Sequence, residues 1–391
     1  MLNLKKWFVR WGIPVVLLAA FVIFTVYINQ VDKVALVNRE GQTFEKGVVT
    51  EILQDNLQPN GTRVGEQRVL VRLTTGVRAG QELETTSASG YLFGAGCTVG
   101  MRVVVMQSVA GDSTITSIYS QDREWVIYAF AAAYLVVLCL VGGKQGVKGA
   151  LGLVFTFFCI LFVYLPLVYR GLSPFWVSVF ICVITTLVTM YLIGGPTRKT
   201  LVATGGTVAG VVIAGISATI FSMATGITGW NVSDIESLLT LASTSGVQVG
   251  GLLFSGLLIS SLGAVMDVAM SIGSAIAEIH AQNPALSRGE LFKAGMHVGR
   301  DMMGTDSNTL ILAFAGGSIS MLVLDYAYSL PYQQIINSNN IGIAIMQGLS
   351  GSFGIVLAVP VTVALAVALY TWKRPNRAET APAEDASRQT R

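Results

Sequence analysis

Residues 249–270 read VGGLLFSGLLISSLGAVMDVAM, a run of 22 residues in which Asp267 is the only charged side chain. A transmembrane helix needs about 20 consecutive apolar residues to cross a hydrocarbon core about 30 Å thick, so this run predicts a membrane span. Six further runs after the first hundred residues, and one near the N-terminus, have the same character. The sequence therefore predicts an α-helical polytopic membrane protein with about eight transmembrane helices, at residues 1–30, 125–141, 150–168, 174–193, 201–222, 249–270, 308–324 and 348–371.

The composition supports this class and excludes others. Hydrophobic types make up 52% of the 391 residues and charged types 12%, against about 25% charged in an ordinary soluble domain. A net charge of +3 without a basic stripe argues against nucleic acid as a partner. The four cysteines form no C-x-x-C pair and there are two histidines, His280 and His297, so the usual zinc and iron–sulfur sites are excluded. No cofactor is expected, because no phosphate-binding or dinucleotide fingerprint occurs.

The N-terminal third divides into an anchor and a polar domain. Basic residues precede an apolar run that ends near residue 28, and no small-residue cleavage motif follows it, which favours a retained anchor over a signal peptide. Short strand-like runs then alternate with turn clusters such as Pro59-Asn60-Gly61. This pattern is typical of a small β-barrel, and we expect an OB-like one. The predicted strands are 48–53, 68–73, 101–107 and 114–119.

The placement of lysine and arginine predicts the orientation, because these residues favour the cytoplasmic side. They occur in the N-terminal residues, the loops 142–149 and 194–200, the segment 271–307 and the tail 373–391. The intervening connections 223–248 and 325–340 contain neither. Both termini are therefore predicted to be cytoplasmic.

The predicted domains are an N-terminal anchor at 1–30, an extracytoplasmic β-rich domain at 31–122, a seven-helix membrane domain at 123–372 and a disordered cytoplasmic tail at 373–391.

Two acidic residues are candidates for ion binding within the membrane. Asp267 is predicted to lie near the inner end of an apolar helix, where a carboxylate is costly unless it faces a cavity or a partner. Glu278 follows eleven residues later and shares its helical face if the helix continues. Such a pair suits the passage of protons or cations. The alternatives are that Asp267 is solvated at the membrane surface and that Glu278 belongs to a solvated face beyond it.

A second cluster is the polar, glycine-punctuated stretch 299–309, read as GRDMMGTDSNT. We expect it to interrupt a helix and to expose backbone groups toward a cavity. Arg300 and Asp301 could neutralise each other or Asp267. The alternative is the ordinary start of a membrane helix, with Asp306 or Ser307 as its N-cap. The candidate substrate- or ion-binding residues are Asp267, Glu278, Arg300, Asp301, Thr305, Asp306, Asn308 and Thr309, and the sequence leaves open whether a metal is involved.

The chain resembles the YibE/F-like family of bacterial multipass membrane proteins. The resemblance is carried by the blocks Gly263-Ala264-Val265-Met266-Asp267 and Gly299-Arg300-Asp301, with Gly304-Thr305 and Asn308-Thr309-Leu310. It extends over residues 149–324, including the small-residue stripe Gly206, Gly210, Ala214 and Ala218, and the β domain resembles the longer, YibE-like members. It implies a bacterial cell membrane and supplies no substrate and no catalytic residue. Asp306 departs from the family pattern, where a less acidic residue is expected.

Three functions are compatible with these features. The first is a transporter or permease component coupled to protons or a cation, which takes Asp267, Glu278 and the stretch 299–309 as its site. The second is an envelope scaffold or assembly protein that acts through the exported β domain. The third is an intramembrane hydrolase with Asp267 and Asp301 as a dyad, but Asp301 follows Arg300 and not the Gly-x-Gly of membrane aspartyl proteases. We expect a transporter that is not an enzyme, with the lipid bilayer and a homo-oligomer or a partner membrane protein as its partners.

Overall fold

The computed structural model of the chain describes residues 13–31, 41–88, 94–110, 113–232 and 235–371. The basic N-terminal residues and the predicted disordered tail lie outside this range. The described residues form two compact units, one from those within 35–141 and one from those within 1–34 and 142–391. The helices are α1 (Ile13–Asn29), α2 (Glu124–Cys159), α3 (Leu165–Tyr169), α4 (Pro174–Gly194), α5 (Arg198–Thr225), α6 (Ile235–Ser245), α7 (Leu252–Gln282), α8 (Arg288–Gly317), α9 (Ile319–Ala327), α10 (Tyr332–Ile336) and α11 (Asn339–Thr371), with a π-helical turn at Ile160–Tyr164 and a 3-10 turn at Val249–Gly251.

The first unit contains a closed five-stranded barrel, which confirms the predicted barrel. Its strands are β1 (Gln42–Gln54), β2 (Gln67–Leu73), β3 (Glu82–Ser87), β4 (Arg102–Ala110) and β5 (Ser113–Gln121). They are ordered β1-β2-β3-β5-β4 around the barrel, which closes because β1 pairs with both β2 and β4. All pairs are antiparallel except β3 with β5. The four predicted strand runs lie in β1, β2, β4 and β5, whereas β3 was missed.

The barrel interior combines valines with one buried polar network. Val69, Val71 and Val103 are fully buried in its core. Gln67 is also fully buried; its amide donates to Asp55 Oδ1 at 2.8 Å, and its carbonyl oxygen accepts from the Cys97 N–H at 2.7 Å. A buried amide is tolerated when its hydrogen bonds are made, so this network ties the segment that carries Cys97 to β2.

The second unit is a helical bundle that packs around glycine contacts. The predicted stripe of Gly206, Gly210, Ala214 and Ala218 is buried throughout. A Cβ placed on Gly354 of α11 would lie 2.7 Å from the backbone oxygen of Gly210. Such separations are open only to glycine, and they let α5 and α11 approach closely.

Helix α1 packs into this bundle through its C-terminal end. The Arg170 guanidinium donates to the carbonyl oxygens of Tyr27 and Ile28 in the last turn of α1 and of Gln30 just beyond it. The amide of Asn29 donates to the carbonyl oxygen of Phe162 at 2.7 Å. The predicted anchor segment is therefore hydrogen-bonded to the bundle at this end, through Arg170 of the bundle and Asn29 of α1.

Five helices are long and apolar enough to cross a membrane, or six if α8 and α9 count as one bent span, judged by length and composition of the described residues. One of them is the continuous helical run Glu124–Tyr169, which contains both predicted spans 125–141 and 150–168. The predicted break between them lies within 142–149, but it is shorter than expected, because the other residues of this stretch are helical. The stretch is interrupted only at Gly143, whose φ of 53° and ψ of −133° are not helical. A shorter apolar helix covers 19–29, and the count of eight spans stays a prediction.

Candidate functional site

Asp267 lies at the centre of α7, a helix of 31 residues, and not near its inner end as predicted. The helix continues twelve residues beyond the predicted end because residues 271–282 keep the apolar periodicity, with Ile272 and Ile276 fully buried. The Asp267 side chain is on the exposed face of α7. Gly256, Ser260 and Gly263, at helical spacings of three and four, are exposed on the same face.

Asp306 lies on α8, which runs antiparallel to α7. The register is set by two glycines of α8: a Cβ on Gly295 would lie 2.7 Å from Ile276 Cδ1, and one on Gly299 would lie 3.3 Å from Ile272 Cδ1. Continuing this register brings Asp306 to the level of Asp267. The Asp306 side chain is half-buried, and its carboxyl lies close enough to Asp267 for the two charges to interact.

The predicted helix interruption at 299–309 is wrong, since α8 is continuous from Arg288 to Gly317. The alternative N-cap at Asp306 or Ser307 is also wrong, because the cap is Ser287, whose capping box with Glu290 is complete. The polar residues do not break the helix because they segregate to one side of it. The interruption comes later, at Ser318, where α8 and α9 are bent by 57°.

The remaining candidates of this stretch share the outward side of α8. Gly299 and Leu310 are buried against the bundle. The Thr309 hydroxyl donates to the carbonyl oxygen of Thr305 at 2.9 Å, which satisfies it within the helix. The exposed candidates are Arg300, Asp301, Thr305, Asn308 and Thr309.

Arg300 does not neutralise the acids in the way that the sequence suggested. Six residues of an α-helix turn by about 600°, so Arg300 and Asp306 leave α8 in directions about 120° apart. No ion pair among the described residues involves Arg300, Asp301, Asp267 or Asp306. The structure thus places Asp267 and Asp306 near each other, whereas Arg300 leaves α8 in a different direction from Asp306.

Glu278 is on α7, as the eleven-residue spacing required, but it is separate from the pair. Eleven residues of helix span about 16 Å. Its carboxylate is exposed and accepts a hydrogen bond from the Gln282 amide at 2.8 Å. Glu278 therefore matches the solvated alternative better than the ion-binding one.

Sequence reasoning missed hydroxyl groups beside the pair. The Ser307 hydroxyl is buried and has no hydrogen-bond partner in the described structure. Ser352 of α11 donates to the carbonyl oxygens of Gly348, at 2.8 Å, and Ser307, at 3.4 Å. Single serines in glycine-rich helices give no sequence signal that separates packing from function. Within the described ranges, no group of three or more His, Cys, Asp or Glu side chains could hold a metal ion.

The family comparison covers all these residues. The model of the family described as YibE/F-like protein matches residues 130–372, which is more than half of the chain and includes Asp267 and the whole of α8. No curated protein and no solved structure matches. The match begins after the barrel, so it concerns the helices and not the β-rich domain.

Proposed function

Because this chain belongs to the YibE/F-like protein family, whose match covers Asp267 and Asp306, we propose that it is a transporter or permease component of a bacterial cell membrane. Substrate movement is coupled to protons or a cation, and Asp267 with Asp306 exchanges the ion. The observation that carries the proposal is that Asp267, on the apolar helix α7, lies near the carboxyl group of Asp306 on α8 and has no basic partner within its own chain among the described residues.

The physical argument concerns the charge of the pair. An aspartate within the hydrocarbon core is costly, about 2.5–3.5 kcal/mol on insertion scales if it lies at the bilayer centre. Two carboxylates at close range also disfavour each other's charged form. A shared proton or a bound cation removes both penalties, so the pair suits a group that takes up and releases one positive charge. A structural role would be met more cheaply by apolar side chains.

The membrane arrangement follows from helix lengths. The run Glu124–Tyr169 has 46 residues, or about 69 Å, more than twice the hydrocarbon thickness. We infer that it supplies two spans on either side of Gly143. With α1, α4, α5, α7, the pair α8 and α9, and α11, this gives eight spans with both termini in the cytoplasm and the barrel outside.

Helix-end contacts support this orientation. Lys148 donates to the carbonyl oxygen of Ile193 at 3.5 Å, and Arg198 donates to that of Leu369 at 3.4 Å. Basic groups stabilise helix C-termini, here the ends of α4 and α11. Lys148 and Arg198 therefore both lie on the side that we propose to be cytoplasmic, where they bind the C-terminal ends of α4 and α11.

One observation favours the envelope scaffold as a second candidate. On the outside of the barrel, Phe44 and Tyr119 meet edge to face at 5.2 Å although both are about half exposed, and Ile115 is exposed as well. Exposed apolar patches mark interaction sites. If Phe44→Ser with Tyr119→Ser removes the cellular phenotype while Asp267→Asn leaves it unchanged, the scaffold is the correct function.

Thermal unfolding of the purified protein in lipid nanodiscs tests transport. The screen varies pH, Na⁺, K⁺, Mg²⁺ and a panel of small metabolites. A ligand that binds only the folded state stabilises it by about 2.7 kcal/mol at 100 times its Kd. We expect at least one such ligand to raise the Tm by several degrees in the unsubstituted protein and in Glu278→Gln, but not in Asp267→Asn. An equal shift in all three proteins would remove Asp267 from the site.

A further inference from the structure

The exposed sides of α7 and α8 together form a polar surface, here called the acid face. It contains Gly256, Ser260, Gly263 and Asp267 of α7 with Arg300, Asp301, Gly304, Thr305 and Asn308 of α8, all exposed. Within a bilayer such a surface would meet lipid tails. Charged and amide side chains have no hydrogen-bond partners there, so lipid is a poor cover for this face.

We propose that a second copy of the chain covers the acid face and completes the ion site. The two copies are related by a twofold axis along the membrane normal, and Arg300 of each copy lies opposite Asp267 of the other. The inference rests on the proposed function in one respect, that the acid face lies within the bilayer. It goes further in naming the partner and in giving Arg300 a role.

The charges of the acid face are arranged for such a pairing. Asp267 lies on the α7 side of the face. Arg300 lies on the opposite side, toward α11, because Ile311, eleven residues later and so on the same side of α8, contacts Gly348 of α11. A twofold rotation exchanges left and right across the axis, so it brings the acidic side of one copy against the basic side of the other.

The depths also match. Two copies of one membrane protein share their orientation, so a rotation about the membrane normal keeps every residue at its own depth. Gly299 is level with Ile272 in the α7–α8 register. Arg300 is therefore about four residues, or about 6 Å, from the level of Asp267, which is within reach of its long side chain.

The backbone of the acid face can be approached closely. A Cβ built on Gly256, Gly263 or Gly304 would meet no atom within 4 Å. Buried glycines of this bundle, in contrast, are needed for packing inside one chain. Glycines that serve no contact within the chain suit close packing against another helix, which is a separate observation in favour of a protein cover.

Disulfide trapping tests the interface at its centre. Gly304 lies between Asp267 and Arg300, so it is close to the proposed axis and faces its own copy. We expect Gly304→Cys in native membranes to oxidise to a covalent dimer. The unsubstituted protein and Leu187→Cys, an exposed position on α4, should stay monomeric under the same oxidant. Equal crosslinking of both variants would reflect random collision and would overturn the proposal.

Charge reversal tests the pairing of Arg300 with Asp267. By native mass spectrometry from nanodiscs, Arg300→Asp and Asp267→Arg should each lower the dimer fraction at least tenfold, and the double variant should restore it. A monomeric unsubstituted protein, or a chain of another sequence bound in place of the second copy, would overturn the proposal. If the dimer forms but no ligand raises the Tm, the result counts against transport and not against the dimer. The failure of the proposed function and the failure of the dimer are therefore distinguishable.

Discussion

Asp267→Asn is expected to reduce ligand-driven proton or cation flux about 100-fold or more, the usual effect of removing a proton-transfer group. Asparagine keeps the size of the side chain and its hydrogen-bonding capacity, but it cannot take up or release a proton and offers a cation no charge. The measurement uses proteoliposomes with an internal ion indicator, driven by the ligand that stabilises the protein in the thermal screen. Asp306→Asn should give the same loss, since the two carboxyl groups act as a pair.

Glu278→Gln is the matched control for this experiment. It makes the same chemical change on the same helix, at an exposed residue about 16 Å away along α7. We expect its flux to equal that of the unsubstituted protein. Full flux in Asp267→Asn would show that the carboxyl pair is not the coupling site.

The second large effect is a loss of stability, which we expect from Gly210→Ala because three helices meet at this residue. A Cβ on this residue would lie 2.5 Å from Val265 Cγ1, 2.8 Å from Ala358 Cβ and 3.0 Å from the backbone oxygen of Gly354. The last atom cannot move without moving α11, so Gly210→Ala must separate packed helices. Overpacking of this kind costs about 1–3 kcal/mol of unfolding free energy, which we would measure by denaturant titration in mixed micelles.

Gly149→Ala is the control for Gly210→Ala. A Cβ at Gly149 would meet no atom within 4 Å, and the residue is helical. Alanine is a better helix former than glycine by up to about 1 kcal/mol. We expect Gly149→Ala to be neutral or stabilising, and a Gly210→Ala variant as stable as this control would contradict the close approach of α5 and α11.

The sequence predicted the architecture well in segments where one pattern of apolar residues dominates. Long apolar runs located the helices, and short strand-like runs between turn clusters located β1, β2, β4 and β5. Strand β3 was missed because its sequence ELETTS is polar. Its inward residues Thr85 and Ser87 are buried, but short hydroxyl side chains do not produce the apolar alternation on which the prediction relied.

The interruption predicted at 299–309 failed for a different reason. Composition marked the stretch as polar, but the spacing of Gly299, Met303, Asp306 and Leu310 is four, three and four, which is the period of a helix face. These residues point toward the bundle or its edge, and the polar residues between them point outward except for Ser307, whose hydroxyl is buried. Periodicity was the better guide here, and it was available in the sequence.

The pairing of Asp267 with Asp306 could not have been predicted from one sequence. The residues are 39 positions apart, and their proximity depends on the register between α7 and α8. That register is set by Gly295 and Gly299 against Ile276 and Ile272, which is a packing detail and not a motif.

The most direct test of the central claim is the reaction of the protein in nanodiscs with a hydrophobic carbodiimide, across a range of pH. This reagent enters the bilayer and modifies carboxyl groups that carry a proton, and mass spectrometry locates the product. We expect modification at Asp267 or Asp306 ahead of Glu278 and Asp301, at a rate that varies with pH and is slowed by the coupling cation. Modification confined to Glu278 and Asp301, with Asp267 and Asp306 untouched at every pH, would contradict the central claim.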